Sequence, residues 1–265
     1  MWKWEAEEPR GVLVLVHGSG EHHGRYEWLI DKWRTNGFHV VAGDLPGHGQ
    51  TTRRRGHIDS FDEYIEAVSS WVKEAETYGL PIFLFGHSLG GLVVIRTMTE
   101  KQLPVDAVIL SSPCLGLVHS PPKPLKLVAK AANTLSPKLR VRIKSTPENP
   151  SATRNKERLK LDAEDSLIVT KVSIRWYNEL ETAMRLAFEK EDAFPDVPLL
   201  VMQAGEDKIV DKQSVNKWFN RLFNRDRAYK EWDQLYHEIF NEPERDDVFR
   251  YALGFAELYL QECRT

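Results

Sequence analysis

Cysteine is nearly absent: the 265 residues hold only Cys114 and Cys263. Two cysteines without C-x-x-C spacing exclude a disulfide framework and the common zinc and redox motifs, so both are read as structural thiols. No stretch approaches the roughly 18 consecutive apolar residues of a membrane helix. The segment "MWKWEAEEPRG" carries acids and no apolar h-region before the first strand, so no signal or transit peptide is expected and cytoplasmic residence is the default. Neither sign of charge dominates, with a formal net charge of −3, 42% apolar and 28% charged residues, as in ordinary soluble globular domains. Gly18, Gly20 and Gly24 do not fit G-x-G-x-x-G and no G-K-[ST] follows them, which argues against nucleotide binding. With no H-E-x-x-H pattern beside His17, His22 and His23, no metal or other cofactor is expected, and no nucleic-acid partner.

What is there is a series of short apolar runs: "GVLVLVHG" (11–18), "FHVVAGD" (38–44), "IFLFGH" (82–87), "AVILSSP" (107–113) and "LLVMQAG" (199–205). Each is continuous rather than alternating, which predicts strands buried on both faces of a parallel sheet. Helical patterns lie between them. One starts at Ser60, where "SFDE" reads as a capping box, and runs through Phe61, Tyr64, Ile65, Val68, Trp71, Val72 and Ala75 until Gly79. Alternation of strand and helix predicts an α/β fold with a mostly parallel, doubly covered sheet, in a single domain spanning residues 1–265. From Pro113 to about Pro198 the alternation fails. An insertion of that length is expected to form a lid or binding segment.

The chemistry centres on "GHSLGG", residues 86–91, set between the "IFLF" strand and the helical run "LVVIRTM". A G-x-S-x-G motif between strand and helix places its serine, Ser88, on a tight turn as a nucleophile, and the backbone N–H of Leu89 begins the helix. The bland alternative is a strand-to-helix turn with an N-capping serine. A serine nucleophile needs a histidine base and an acid in the chain order Ser, Asp/Glu, His. Of nine histidines only His237, in "LYHEIFNEPER", lies near the C-terminus. "LLVMQAGEDKIVD" offers Glu206, Asp207 and Asp211. Asp207 is chosen, Glu206 is the runner-up, and Asp211 reads as the N-cap of "KQSVNKWFNRLF". The loop after the first apolar run would supply the second oxyanion donor, the N–H of Ser19. His22 and His23 are expected to pack among turns, and Asp44, Gly47, His48 and Gly49 to shape a turn below the site.

Together "HGSGEHHGRY", "GDLPGHGQT", "GHSLGG", "QAGEDKIVD" and "YHEIFNEPER" resemble the monoacylglycerol lipase and lysophospholipase family of α/β-hydrolases, in particular its small bacillar phospholipase-like branch. The resemblance implies a catalytic triad of Ser88, Asp207 and His237, an oxyanion hole from the Ser19 and Leu89 amides, and a helical cap over residues 114–176. It implies an enzyme that releases fatty acid from monoacylglycerol or (lyso)phospholipid. Ser19 departs from the alanine of animal monoacylglycerol lipases, which a backbone donor tolerates. Two other readings stay open: a short-chain carboxylesterase, thioesterase or acyltransferase on the same machinery, and a non-catalytic ligand-binding protein of this fold. An epoxide hydrolase or dehalogenase would need aspartate at position 88.

Charge is unevenly spread. Residues 119–160 hold eleven Lys/Arg against Glu148 and Glu157, a local excess of nine that leaves the remainder at −12. Within it, "PLKLVAKAANTL" places Leu125, Val128, Ala129, Ala132 and Leu135 on one helical face, with Lys123, Lys126 and Lys130 off that stripe. This face is expected either to close the substrate pocket, through Leu125, Val128 and Ala132, or to touch an anionic membrane surface peripherally.

Overall fold

A computed structural model describes residues 1–120, 122, 132–142 and 152–262. Each expected strand forms: β2 (Gly11–Val16), β3 (Phe38–Ala42), β4 (Ile82–His87), β5 (Ala107–Ser111) and β8 (Leu199–Ala204). The run "AYKEW" ahead of His237, which also reads as a strand, forms β9 (Arg227–Trp232), while β1 (Trp2–Trp4), β6 (Arg140–Arg142) and β7 (Lys171–Ser173) were not anticipated. Seven of them form one sheet in the order β1-β3-β2-β4-β5-β8-β9, parallel throughout except where β1 pairs antiparallel with β3. The sheet is therefore mostly parallel, as expected, while β6 and β7 pair antiparallel in a separate ribbon.

The continuous apolar runs are explained by cover on both faces. Val12, Val14 and Val16 point into a core built with α2 (Asp62–Glu76), α3 (Leu89–Glu100) and the helices Ile174–Glu189 and Lys212–Arg221. Leu13 and Leu15 point the other way, toward α1 (Glu27–Thr35) and the helix Arg245–Glu262. Successive residues of a strand face opposite sides, so both rows must be apolar. On the second face Trp33 is fully buried, edge-on to Phe38 at 4.8 Å and to Phe249 at 5.2 Å between ring centres.

Helix α2 corrects one boundary. It begins at Asp62 rather than Ser60, and its N-cap position is Phe61, which makes no side-chain cap bond. Glu63 still reaches back, accepting from the amides of Asp59 at 2.8 Å and Ser60 at 3.4 Å, while Ser60 Oγ accepts from Asp62 N at 3.2 Å. The capping residues thus organise the turn before the helix. Asp211 caps the helix Lys212–Arg221 as expected, accepting from Gln213 N and Ser214 N.

Between β5 and β8 the chain leaves the sheet. This excursion carries a helical turn at residues 132–135, the β6–β7 ribbon, and the helices Lys156–Glu164 and Ile174–Glu189. The last of these belongs to the body of the fold, since Trp176 Nε1 donates to the Tyr64 hydroxyl of α2 at 2.7 Å. Of the expected amphipathic face, Leu125, Val128 and Ala129 lie outside the described residues, as do Lys123, Lys126 and Lys130. Ala132 is half-buried, but Leu135 is 86% exposed. At its end of the stripe nothing among the described residues packs over the apolar side chain.

Trp33→Ala should cost roughly 3–5 kcal/mol, the usual loss for a fully buried aromatic. Urea unfolding should show a lower midpoint at unchanged slope; a loss below about 1 kcal/mol would contradict this packing.

Candidate active site

The end of β4 is sterically tight. Ser88 has φ 52° and ψ −117°, a conformation that costs a non-glycine residue about 1–3 kcal/mol and persists only where the surroundings impose it. Its neighbours explain why glycine flanks it. A Cβ on Gly90 would lie 2.2 Å from the Val16 carbonyl oxygen, and one on Gly86 would lie 2.6 Å from that of Gly90. The first turn of α3 thus packs too closely against the ends of β2 and β4 for side chains at these positions. Ser88 is held by backbone bonds on both sides, donating to Ser111 O and accepting from Cys114 N, each at 2.9 Å. Its side chain makes no cap bond to α3, which begins at Leu89. The serine therefore stands at the positive end of the α3 dipole rather than serving as an N-cap.

His237 and Asp207 meet from two other loops. Asp207 lies three positions past β8, its side chain fully buried, and its Oδ2 accepts from His237 Nδ1 at 2.8 Å and Gln203 Nε2 at 3.1 Å. Its Oδ1 accepts from the amides of Ile209 and Val210 at 2.9 and 2.8 Å. Burial would raise the Asp207 pKa, but the His237 charge and hydrogen bond and these amides outweigh it and hold the carboxyl below its ordinary value. The bond to Asp207 places the proton of neutral His237 on Nδ1 and leaves Nε2 as the acceptor. Burial pushes the His237 pKa down, yet the Asp207 charge and bond, helped by Glu238 and Glu21, carry it above 6.5. Glu206, the alternative acid, is exposed and makes no contact with His237 among the described residues.

His87 is the neighbour that motif reading passed over. Its ring lies 4.9 Å from that of His237 and it immediately precedes Ser88. Burial takes its pKa down to about 4, and Nδ1 faces the Ser111 carbonyl and hydroxyl, each at 3.1 Å, with no carboxylate. It is neutral and unsupported as a base at physiological pH. Cys114 is likewise buried, its thiol pushed up to about 12, so it competes poorly with Ser88 as a nucleophile.

The loop after β2 is built around internal bonds. His17 Nε2 accepts from Leu45 N at 2.9 Å, so its Nδ1–H donates to Gly18 O at 2.8 Å. Glu21 accepts from Gly18 N at 2.9 Å and from the Tyr26 hydroxyl at 2.6 Å. Neither the Ser19 amide nor the Leu89 amide has a protein partner among the described residues. As expected, His22 and His23 pack among turns: His22 Nε2 lies 2.6 Å from Asp165 Oδ2, and His23 Nδ1 lies 2.8 Å from Asp44 Oδ1 with its ring stacked on Trp2. Asp44 also accepts from Gln50 N at 2.8 Å, bracing the turn that contains Gly47, His48 and Gly49. His22, His23 and Asp44 bring metal-ligating atoms within 4.8 Å of one another. Three of the four ring nitrogens there already face protein partners, since His22 Nδ1 also accepts from Gly24 N.

A buried ion cluster ties this loop to the other two. The Arg25 guanidinium contacts Glu21 Oε1 at 2.5 Å, Asp162 Oδ2 at 2.5 Å and Glu238 Oε2 at 3.0 Å, with 3% of its side chain exposed. Glu21 belongs to the β2 loop, Glu238 follows His237, and Asp162 sits on the helix Lys156–Glu164 of the excursion. Burial favours the neutral form of both glutamates; the Arg25 charge and the Tyr26 hydroxyl nevertheless pull Glu21 well down, whereas Glu238 stays raised. The i, i+4 spacing of Glu21 and Arg25 was visible in the sequence; the partners at 162 and 238 were not. Glu242 adds a second tie, accepting from Thr153 Oγ1 at 2.6 Å and Arg154 N at 2.5 Å.

Comparison with known proteins places this geometry in context. The Hydrolase_4 family model, described as serine aminopeptidase, S33, matches residues 7–244. Phospholipase YtpA of Bacillus subtilis (strain 168) is 52% identical over 261 residues, covering 98% of this chain and all of that protein (100%). Monoacylglycerol lipase of Mycolicibacterium smegmatis is 28% identical over 253 residues, covering 93% and 89%. Among solved structures, Paleococcus ferrophilus monoacylglycerol lipase superposes with a TM-score of 0.86 at 31% identity, covering 98% of each chain. The fold is accordingly that of the α/β-hydrolases.

Arg25→Met should destabilise by roughly 3–5 kcal/mol, because it strands the buried carboxylates of Glu21 and Glu238, whereas Asp162 keeps Arg158. Those carboxyls would then titrate above their unfolded values, so the loss should be full at neutral pH and partly recovered as pH falls through the carboxylate range. Urea midpoints across that range test this; a loss independent of pH would contradict it.

Proposed function

The chain belongs to the Hydrolase_4 family (serine aminopeptidase, S33), and from that membership we propose a serine carboxylic-ester hydrolase that uses Ser88, His237 and Asp207 on lipid esters. The carrying observation is the 2.8 Å His237–Asp207 bond, formed by a ring that lies 4.9 Å from that of His87, the residue before the strained Ser88. His237 Nε2 takes the proton of Ser88 as its Oγ attacks the acyl carbonyl. The Ser19 and Leu89 amides receive the oxyanion, aided by the α3 N-terminus. Collapse releases the alcohol, protonated by His237, and a water deprotonated by the same nitrogen then frees the fatty acid. Asp207 holds the ring's tautomer and stabilises the imidazolium.

Monoacylglycerol or (lyso)phospholipid is the proposed substrate class. Its support is the likeness to a Bacillus phospholipase and to monoacylglycerol lipases. Residues 114–176 are proposed as the cap over the acyl site, with Leu125, Val128 and Ala132 as its substrate-facing residues.

Ser88→Ala should abolish ester hydrolysis while leaving the circular dichroism spectrum unchanged; retained esterase activity would sink the assignment. Asp207→Asn should lower kcat by about 10⁴-fold, the scale seen when a triad acid is lost, and Glu206→Gln should leave it intact. A hydrolysis panel of monoacylglycerol, lysophosphatidyl lipid and diacyl phospholipid at matched chain length identifies the head group. A profile peaking at acetyl or butyryl esters would assign a short-chain carboxylesterase instead.

The pH profile is a separate check. His237 must be neutral to accept the serine proton, and its pKa lies above 6.5. Activity should therefore fall on acidification at a higher pH than an unperturbed histidine would give. Glu238→Gln, which removes one of the acids that raise His237, should move that limb to lower pH; an unmoved or upward-shifted limb would contradict the electrostatics.

A further inference from the structure

Part of the basic charge lies on one described face. Arg53 and Arg54 are exposed in the loop before Gly56, and Lys138, Arg140 and Lys171 are exposed on or beside the β6–β7 ribbon. Backbone and side-chain bonds knit these segments together. Ser173 N donates to Gly56 O at 2.8 Å, Arg54 Nη2 reaches Lys138 O at 3.4 Å, and Arg140 donates to the Arg55 carbonyl. Arg53 pairs with Glu63, but Lys138, Arg140 and Lys171 face no carboxylate within ion-pair distance among the described residues.

Two shallow concavities open on this face. One, of about 220 Å³, is lined by Arg53, Arg54, His57, Ile58, Asp59 and Lys138. The other, of about 260 Å³, is lined by Arg55, Arg140, Ile168, Val169, Thr170 and Lys171. Each is rich in the guanidinium and ammonium donors that suit a phosphate. Large apolar side chains stand out between the charges: Leu135 is 86% exposed, Leu139 56% and Val141 42%. Leu139 and Val141 alternate with Lys138 and Arg140 over residues 138–141, so cationic and apolar side chains flank the same short exposed segment, which can meet a surface edge-on. The surface also adjoins the proposed site, because Val169 N donates to Gly20 O at 2.9 Å, next to Ser19.

We propose that this face docks the protein onto anionic phospholipid bilayers, the arginines and lysines meeting headgroup phosphates and Leu135, Leu139 and Val141 entering the interface. A chain with net charge −3 that concentrates its positive charge in this region approaches such a surface with a fixed orientation. A nucleic acid would use the cations equally well but would leave the leucines and the valine in water; no exposed aromatic lines the two concavities for base stacking. The purpose of docking rests on the lipid-ester reading above, but its measurement does not.

The test is flotation of the full chain with phosphatidylcholine vesicles, with and without phosphatidylglycerol, at low and high salt. Binding should require phosphatidylglycerol and weaken with salt. Each Lys or Arg near such a surface adds about fivefold to partitioning. R54Q/K138Q/R140Q/K171Q should therefore lower partitioning at least tenfold, and L135S/L139S should lower it without changing the salt slope. Both variants should keep the wild-type circular dichroism spectrum, and flotation is read without any ester turnover, which separates a docking failure from a failure of the hydrolase reading. Equal binding to both vesicle types, undiminished binding by the fourfold variant, or tighter binding to duplex DNA than to the anionic vesicles would each overturn the proposal.

Discussion

The close packing of the first turn of α3 against the ends of β2 and β4 governs this molecule. With the position of Gly90 pressed against the Val16 carbonyl and that of Gly86 against Gly90, the chain leaving β4 has one route open. It turns through Ser88 at positive φ and enters α3 at once. The same contact sets the loop after β2 alongside the start of α3, so two strand termini contribute backbone to one small region. Paired strands on the β5 side then bring the ends of β8 and β9, with Asp207 and His237, to the same edge of the sheet. Burial on both faces of the sheet makes that edge rigid enough to hold the strained serine.

A second layer of organisation is ionic. Arg25 joins carboxylates from the β2 loop, the histidine loop and the excursion, and Glu242 fastens residues 153–154 to the histidine loop independently. A buried cluster of this kind contributes little net stability compared with apolar packing of the same volume. Its consequence is positional: displacement of the excursion would pull on a carboxylate one residue from His237 and on one that holds the Gly18 amide. The histidines that dominate the opening motif take no part in it except through position. His17 ties Gly18 to Leu45, and His22 and His23 brace turns against Asp165 and Asp44.

Legibility in the sequence followed the range of the interactions. The five apolar runs could be read because burial on both faces makes a strand continuously apolar, and α2 because burial on one face imposes a helical period. β1, β6 and β7 could not, since three residues carry no period and their pairing depends on distant chain. The start of α2 shifted by two residues because Glu63 bonds amides ahead of Ser60 as well as its own. Glycine spacing announced the turn at Ser88, and chain order pointed to His237 and Asp207, which do meet. The roles of Asp162 and Glu238 were illegible, because a long-range ion pair leaves no local signature. Spacing placed Leu135 on an apolar stripe but left open whether that stripe is covered or exposed; its exposure depends on what packs above it.

The proposed reaction requires Ser88 Oγ to be the atom that bonds to the acyl group. Rapid quenching of the protein during turnover of an activated ester, followed by peptide mass mapping, reads this directly. The account predicts an acyl adduct on the peptide containing Ser88 that is lost in His237→Ala, and an adduct on Cys114 or any other residue would contradict it.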